Sequence, residues 1–381
     1  KLKIGILFGG TSREREVSFA GGRTVYDNLD KTLFEPIPLF VDSFGNLLIL
    51  DWQFIYKGSI RDFYPPAEFL PETTRGFQIY AENLGTLTHQ EQIRLTMKLG
   101  TRIEFAQLPD VIDFAFLCLH GSDGEDGRIQ GLLEYYRIPY SGSGILSSAI
   151  GMNKVIQKDL MKKSGFNVPE VAMINRSEWV ASSNRKSFIK DLKSVGFPCV
   201  VKAANQGSSI GISVLKNNDE DAFVQAVNKS FFIREITRTE WNSMTFDAKT
   251  EWIKKVSDIR EGIGLPAKIN DRIIYHPEEL LGVLIQLFGE MEDVVSIAAI
   301  EAETEVIIES FISGKEFSCI VIANEKGKPV ALPPTEIRKG NELFDYRAKY
   351  LPGLSRKVTP IHLPEVQIET IRRECERLFT S

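Results

Sequence analysis

VVKAANQGSSIGISVL, residues 200–215, is the stretch on which the reading of this chain turns. It holds the materials of a phosphate loop: a lysine, two close glycines and two adjacent serines. The order differs from the P-loop pattern G-x-x-x-x-G-K-[ST], in which the lysine follows the glycines and opens a helix. Here Lys202 precedes Gly207, and an apolar run resumes after Gly211. FPCVVK and ISVL therefore read as two strands with a glycine–serine turn between them. Backbone N–H groups of such a turn can converge on an anion, because glycine tolerates the required dihedrals and adds no bulk. Ser208 and Ser209 add hydroxyl donors, and Lys202 at a strand end adds a point charge. Taken alone, the segment fits a plain hairpin turn with an exposed lysine equally well.

Toward the N-terminus, KIGILF runs into Gly9-Gly10 and then into VSFAGGRTVYDNL, which has a helical pattern. Strand, glycine turn and helix are the opening of a doubly wound domain. The turn is not G-x-G-x-x-G, so a dinucleotide is not indicated. FEPIPLFVD and VIDFAFLCLHG supply further strands. Residues 45–105 between them hold Pro65-Pro66 and Pro71 and read as an irregular insertion carrying some helix, HQEQIRLTMKL. RIQGLLEYY places Ile129, Leu132, Leu133 and Tyr136 at helical spacing. IPYSGSG closes a first domain, taken as residues 1–150. A helix is expected over 153–164. Residues 219–290 are mostly helical by pattern, so 151–304 is taken as a central lobe with a helical insertion at about 228–300. EVIIESFI, SGKEFSCIVIA and KPVALP read as an antiparallel meander with turns at Ser313-Gly314 and around Lys326-Gly327. They open a third lobe, 305–381, whose final segment PEVQIETIRRECERLFTS is again helical in pattern and stops inside that pattern, as an incomplete lobe would.

Length and charge bound the function. A chain of 381 residues suggests two or three domains. The net charge of −5 gives no general basic footprint for nucleic acid, so any anion site must be local. The four cysteines, Cys118, Cys199, Cys319 and Cys375, form no C-x-x-C pair. Three lie in apolar, strand-like runs and read as buried thiols. This argues against a disulfide framework or zinc site and fits a reducing cytosol. No apolar run approaches the roughly 18 residues needed to span a bilayer, and the apolar part of KLKIGILFGG is too short for a signal peptide.

Three other loops carry candidate chemistry. LHGSDGEDGRIQG, residues 119–131, is rich in acids and glycines. Counted from Asp123, Glu134 falls at the twelfth place of an EF-hand, but Arg128 stands at the sixth, where that loop needs glycine. Calcium is rejected. The segment reads instead as a strand-end loop at a sheet crevice, with His120 at the end of its strand and Asp126 as a helix cap. In GGTSREREVS, Glu14 and Glu16 lie near a helix N-terminus, where a carboxylate is stabilised; capping and holding a substrate ammonium are equally open there. FDYRAKYLPG, residues 344–353, alternates aromatics and cations as a lid over an anion does, although a solvated surface loop is the simpler reading of that segment alone.

Taken in order, GGTSREREVS, LHGSDGEDGRIQGLLE, IPYSGSG, MNK at 152–154, FPCVVKAANQGSSIGIS, VIIESFISGKEF and FDYRAKY resemble the D-alanine–D-alanine ligases of the ATP-grasp superfamily. The resemblance implies an α/β fold, α+β in its ATP-grasp part. A Rossmann-like N-terminal domain is followed by two lobes that clamp ATP. It implies ATP-dependent ligation of two D-alanines through an acyl phosphate for peptidoglycan synthesis, with ATP and magnesium or manganese as cofactors. By the same resemblance Lys154 and Lys202 contact ATP phosphates, and Gly207, Ser208 and Ser209 belong to the loop that covers them. Glu309, Phe311 and Ile312 match the adenine-side edge, and Glu316 the ribose hydroxyls. Glu14 matches the carboxylate that holds the first D-alanine's ammonium, with Ser208 and Tyr350 as its hydrogen-bond partners. His120 lies beside that substrate's carboxylate. Lys349, in a lid at 341–356, approaches the phosphate and the acceptor. Tyrosine at 350 goes with D-alanine as second substrate; phenylalanine would go with D-lactate.

The departures are the two insertions, Phe344 where many relatives have tyrosine, and the metal carboxylates, asparagine and oxyanion arginine. In the family these last groups fall downstream of the lid and beyond Ser381, so no metal residue is named. The insertions keep a second reading open, an ATP-grasp ligase for another amino or hydroxy acid. The missing carboxylates keep a third, a non-catalytic nucleotide-binding relative. A cytoplasmic homodimer without nucleic-acid or membrane partners is expected. A glycine–serine turn acting as a cover is expected to be mobile without ATP.

Overall fold

Six consecutive residues of the first strand, Ile4 to Gly9, are buried or nearly so, which is why the sequence there shows no alternation. This strand, β1 (Leu2–Gly9), pairs in parallel with β2 (Phe34–Val41) on one side. Two short strands, β3 (Leu47–Leu50) and β4 (Gly100–Ile103), extend the sheet beyond β2, and β5 (Phe114–Leu117) pairs in parallel on the other side of β1. The computed structural model describes residues 1–71, 75–300, 303–339 and 355–381.

The helix Arg15–Asn28 follows the glycine turn, as expected, and packs on β1 through Phe8 and Phe19, edge to face at 5.8 Å. Gly22 lets the helix approach: a Cβ there would fall 2.6 Å from the Phe8 ring. Gly22→Ala gains about 1 kcal/mol of helix propensity but overpacks a filled interface, at a cost of about 1–3 kcal/mol. The expected result is a lower urea midpoint at unchanged slope; a raised midpoint would mean that helix and strand stand farther apart.

The insertion at 45–105 is less irregular than its prolines suggest. β3 and β4 run antiparallel and give the order β4-β3-β2-β1-β5. Each has four residues, too few to carry an alternation signal. The expected helix is present at His89–Thr96, opened by a Thr88–Glu91 capping box.

β6 (Val171–Asn175) begins the second sheet, and β7 (Cys199–Ala203) and β8 (Ser213–Leu215) form the expected antiparallel hairpin within it. The helix Lys154–Lys163 lies where expected, capped by the Asn153 side chain.

The second insertion is not simply helical. Helices Arg238–Ser243, Phe246–Ser257 and Pro277–Gly289 accompany four strands: β9 (Ile233–Thr237), β10 (Ala267–Ile269), β11 (Arg272–Ile274) and β12 (Val294–Ala299). They make an antiparallel sheet ordered β11-β10-β12-β9. β10 and β11 have three residues each and turn at Asn270, whose φ is 52°. No periodicity window can register strands that short. The core of this body includes Trp241, Ile253, Leu280 and Leu284, and Phe77 and Ile79 of the first insertion join it. The two insertions therefore pack as one body.

β13 (Glu305–Ser310) completes the second sheet in the order β6-β13-β7-β8. The expected meander fails at this point. β13 already has β6 on one edge and β7 on the other, so the chain beyond Ser313-Gly314 cannot fold back onto it. Instead β14 (Glu316–Ser318) pairs with β17 (Thr335–Lys339), which pairs with β18 (Ser355–Val358). β15 (Val321–Ala323) and β16 (Pro329–Ala331) form the hairpin expected around Gly327. The helix Glu365–Thr380 lies on β16, where Arg372 Nε donates to the Ala331 carbonyl at 3.1 Å. All four cysteines are free; Cys118 and Cys199 are buried, whereas Cys319 is only half-buried. Among the described residues no helix is long and apolar enough to cross a membrane.

Candidate active site

Three loops meet around one carboxylate. Ser12, in the turn after β1, donates to the His120 carbonyl at 2.6 Å and accepts from the Glu14 N–H at 3.1 Å, tying the first loop to the loop after β5. Glu14 stands immediately before the helix Arg15–Asn28 and is 3% exposed. A carboxylate there is favoured by the helix N-terminus. Two glycines wall it in. A Cβ on Gly121 would lie 2.8 Å from Glu14 Oε2, and a Cβ on Gly207 would lie 2.7 Å from the same atom. Ser208 Oγ donates to Glu14 Oε1. Ser208 and Ser209 both take left-handed backbone, with φ of 48° and 60°, a conformation that non-glycine residues rarely adopt outside functional turns.

The C-terminal side of this turn is anchored in the fold. Ile210 is buried, and the Gly211 carbonyl accepts from Ser230 Oγ at 2.7 Å.

The lysines form a second cluster. Lys202 on β7 and Lys158 on the helix Lys154–Lys163 both reach Glu309 on β13. Lys202 pairs with Oε1, and Lys158 Nζ lies 2.6 Å from Oε2. Burial alone would raise the Glu309 carboxyl, but the two ammonium groups outweigh it and hold the carboxyl below its ordinary value. Burial draws Lys202 below its ordinary value despite that partner. Lys154 Nζ donates to the carbonyls of Gln206 at 2.6 Å and Ala204 at 3.3 Å. Burial, and next the charge on Lys202, pull Lys154 down to about 8. Lys158 escaped the sequence reading, although its place one helical turn after Lys154 puts both on one face. So did Glu303, which accepts from Asn205 N at 3.0 Å and Gln206 Nε2 at 2.9 Å and thereby shapes the start of the turn.

The other expected residues fall at the edges. The His120 side chain is partly exposed, with Nδ1 4.0 Å from Glu125 Oε2. It lines a cavity of about 190 Å³, with Gly10, Thr11, Val41, Leu119 and Asp123, at the strand ends where open α/β sheets bind ligands. The expected cap at Asp126 is displaced by one residue: the helix Arg128–Tyr135 is capped by Gly127 in left-handed backbone, and Asp126 before it accepts from Arg128 N at 3.2 Å. The Glu309 carboxylate faces the lysines rather than standing clear of them. Phe311 N donates to the Pro198 carbonyl at 3.1 Å, and Ile312 is exposed. Glu316 lies on β14. Phe344, Lys349 and Tyr350, with most of the 341–356 lid, lie outside the described residues. Among the described residues no group of three or more His, Cys, Asp or Glu is placed to hold a metal ion.

The low position of Lys154 has a measurable consequence. An arriving phosphate anion favours the charged lysine and raises its pKa above about 8. Binding of such an anion at pH 8.5 should therefore take up a proton, and binding at pH 6.5, where the lysine is already charged, should not. Calorimetry in two buffers of different ionisation enthalpy reads this; equal proton uptake at both pH values would contradict it.

Known proteins share this arrangement of segments. A sequence model described as the D-ala D-ala ligase N-terminus matches residues 3–143, and one described as the D-ala D-ala ligase C-terminus matches residues 160–235 and 285–381. The chain is 27% identical to the D-alanine–D-alanine ligase of Geobacillus thermodenitrificans, over 98% of this chain and 77% of that protein. It is also 27% identical to the enzyme of the same name from Caldicellulosiruptor bescii, over 100% of this chain and 78% of that one. The D-alanine-D-alanine ligase structure from Coxiella burnetii superposes with a TM-score of 0.57 at 19% identity, covering 100% of this chain and 77% of that one.

Proposed function

Because the chain belongs to the D-alanine–D-alanine ligase family, we propose that it joins two molecules of D-alanine at the expense of ATP, making the dipeptide used in peptidoglycan synthesis. The observation that carries this reading is the junction of Glu14 with Ser208, set beside the lysine cluster of Lys154, Lys158 and Lys202. One side of that junction suits an ammonium and the other suits phosphates.

The chemistry follows from those two halves. A carboxylate is a poor acyl donor. One oxygen of the first D-alanine's carboxylate attacks the γ-phosphorus, ADP departs, and the acyl phosphate forms. The amine of the second D-alanine then attacks the carbonyl carbon. The tetrahedral species loses phosphate and the nitrogen loses a proton, leaving the peptide bond. In this scheme Glu14 and Ser208 hold the first ammonium, and His120 lies by its carboxylate. Lys154, Lys202 and Lys158 offset the charge of the transferring group. Gly207, Ser208 and Ser209 cover the phosphates, while Glu309, Phe311, Ile312 and Glu316 flank the nucleoside. Lys349 and Tyr350 act from the lid, and Tyr350 favours an amine acceptor over a hydroxy acid. Acyl phosphates hydrolyse readily, so a closed lid that excludes water belongs to the scheme.

We assign residues 1–150 to the substrate domain, 151–304 to the central lobe and 305–381 to the nucleotide-covering lobe. The reaction is placed in the cytoplasm, in a homodimer. Magnesium or manganese is proposed as the companion of ATP, although the described residues offer no ligand set for it. The test is a substrate panel on the full-length protein with ATP and magnesium. Phosphate release should depend on D-alanine alone and match dipeptide formed. Stronger release with D-lactate or D-serine as second substrate would give preference to another ligase of the same superfamily, and no D-alanine-dependent release would reject the proposal.

A further inference from the structure

Arg13 stands between Ser12 and Glu14, yet its side chain leaves the site. Nη1 donates to the carbonyls of Ile259 at 2.8 Å and Gly262 at 3.3 Å, and Nη2 donates to that of Ile263 at 2.6 Å. The guanidinium also lies 3.9 Å over the Phe232 ring. Its carbonyl partners sit in residues 236–284, the segment that the matched C-terminal family model skips. Arg15, on the other side of Glu14, donates to Glu82 of the first insertion at 2.8 Å and holds the Thr11 and Ser12 carbonyls at 2.8 and 3.0 Å. The loop that carries Glu14 is thus fastened to both insertions.

The same body grips the opposing turn. Ile210, two residues after Ser208, is part of the core that also holds Phe232, Trp241 and Phe77. Glu14 and Ser208 meet between two segments that are each anchored in the inserted body. A buried guanidinium stripped of its carbonyl partners would be costly, so loop and body hold together.

We propose that the two insertions, packed as one body, set the spacing between the Glu14 loop and the Ser208 turn, and that Arg13 is the positioning residue through which they hold Glu14 for the first D-alanine's ammonium. The inference rests on the ligase reading above. Arg13 touches no substrate; it acts through Glu14. Misplacement of a binding group by about 1 Å can cost up to about a hundredfold in rate.

The test compares full-length wild type with Arg13→Ala and Arg13→Gln. For each variant that folds with a wild-type far-ultraviolet spectrum, the KM for the first D-alanine should rise at least about tenfold while the KM for ATP stays within about twofold. Thr86→Val, which cuts an exposed contact with Tyr275 between the same two insertions, should leave both KM values unchanged. An unchanged D-alanine KM in a folded Arg13 variant overturns the proposal. So does an equal rise in both KM values, or failure of both variants to fold, which would make Arg13 a folding residue. Wild type silent with D-alanine would instead reject the ligase reading itself.

Discussion

Glu14→Gln is expected to lower kcat/KM for D-alanine by about 10²–10³-fold and to leave the KM for ATP within about threefold. The magnitude comes from the worth of a buried charge pair. Removing one partner of such a pair typically costs about 3–5 kcal/mol, of which the first figures convert to that range of rates. The substitution is nearly isosteric. Ser208 can still donate to the amide oxygen, and Gly121 and Gly207 leave room for no larger group. What is lost is charge against an incoming ammonium, so the defect should lie in D-alanine binding. The folded state should not suffer. The amide still accepts from Ser208, and the helix N-terminus loses only the charge, worth about 0.3–1 kcal/mol, so the urea midpoint of the variant is expected to stay close to that of wild type. Competition by a D-alanine analogue, followed calorimetrically, separates this from a general loss of activity. A variant that binds the analogue normally would remove Glu14 from the ammonium site.

Lys202→Met is expected to damage both activity and stability. In the proposed reaction it removes a charge set against the transferring phosphoryl group, an effect on the order of 10²–10³ in kcat when a single donor of this kind is lost. It also leaves Glu309 Oε1 without its ammonium partner. A fully buried pair broken on one side costs about 3–5 kcal/mol, but Lys158 still holds Oε2, so about 1–3 kcal/mol is the better expectation. The pH dependence follows in sign. Glu309 is held below its ordinary value of 4.5 in the folded protein. It therefore contributes stability at neutral pH, and that contribution is lost as the pH falls below 4.5 toward the folded value. In Lys202→Met the depression shrinks, so stability should fall less steeply on acidification than in wild type. Adding Glu309→Gln should restore none of the kcat and none of the stability, because it leaves the Lys158 ammonium without its carboxylate, a coupling that a double-mutant cycle reads directly. Activity recovered by the second substitution would mean that Lys202 serves only to neutralise Glu309.

Both substitutions fall on residues that the sequence made visible, and the reason is local. Lys202 sits at the end of an apolar run and just before a glycine–serine turn, so strand, turn and charge were all legible within sixteen residues. Glu14 was legible because a glycine turn precedes it and a helical pattern follows. What stayed hidden depended on distance along the chain. Lys202 and Glu309 are 107 positions apart, and their pairing follows from β13 lying between β6 and β7. No periodicity carries that information. The sheet inside the second insertion was hidden for a different reason: with β10 and β11 only three residues long, the helices Phe246–Ser257 and Pro277–Gly289 dominate any window. Arg13 was hidden because a cation beside a site carboxylate looks like its partner. Its guanidinium instead finds backbone carbonyls about 250 positions away.

In the proposed reaction the carboxylate of one D-alanine is activated by ATP and captured by the amine of another. D-alanine labelled with ¹⁸O in its carboxylate tests this directly when the full-length protein turns it over with ATP and magnesium. One ¹⁸O is expected in each phosphate released, in amounts matching D-alanyl-D-alanine formed. Phosphate released without label, or label retained entirely in the dipeptide and free D-alanine, would contradict it.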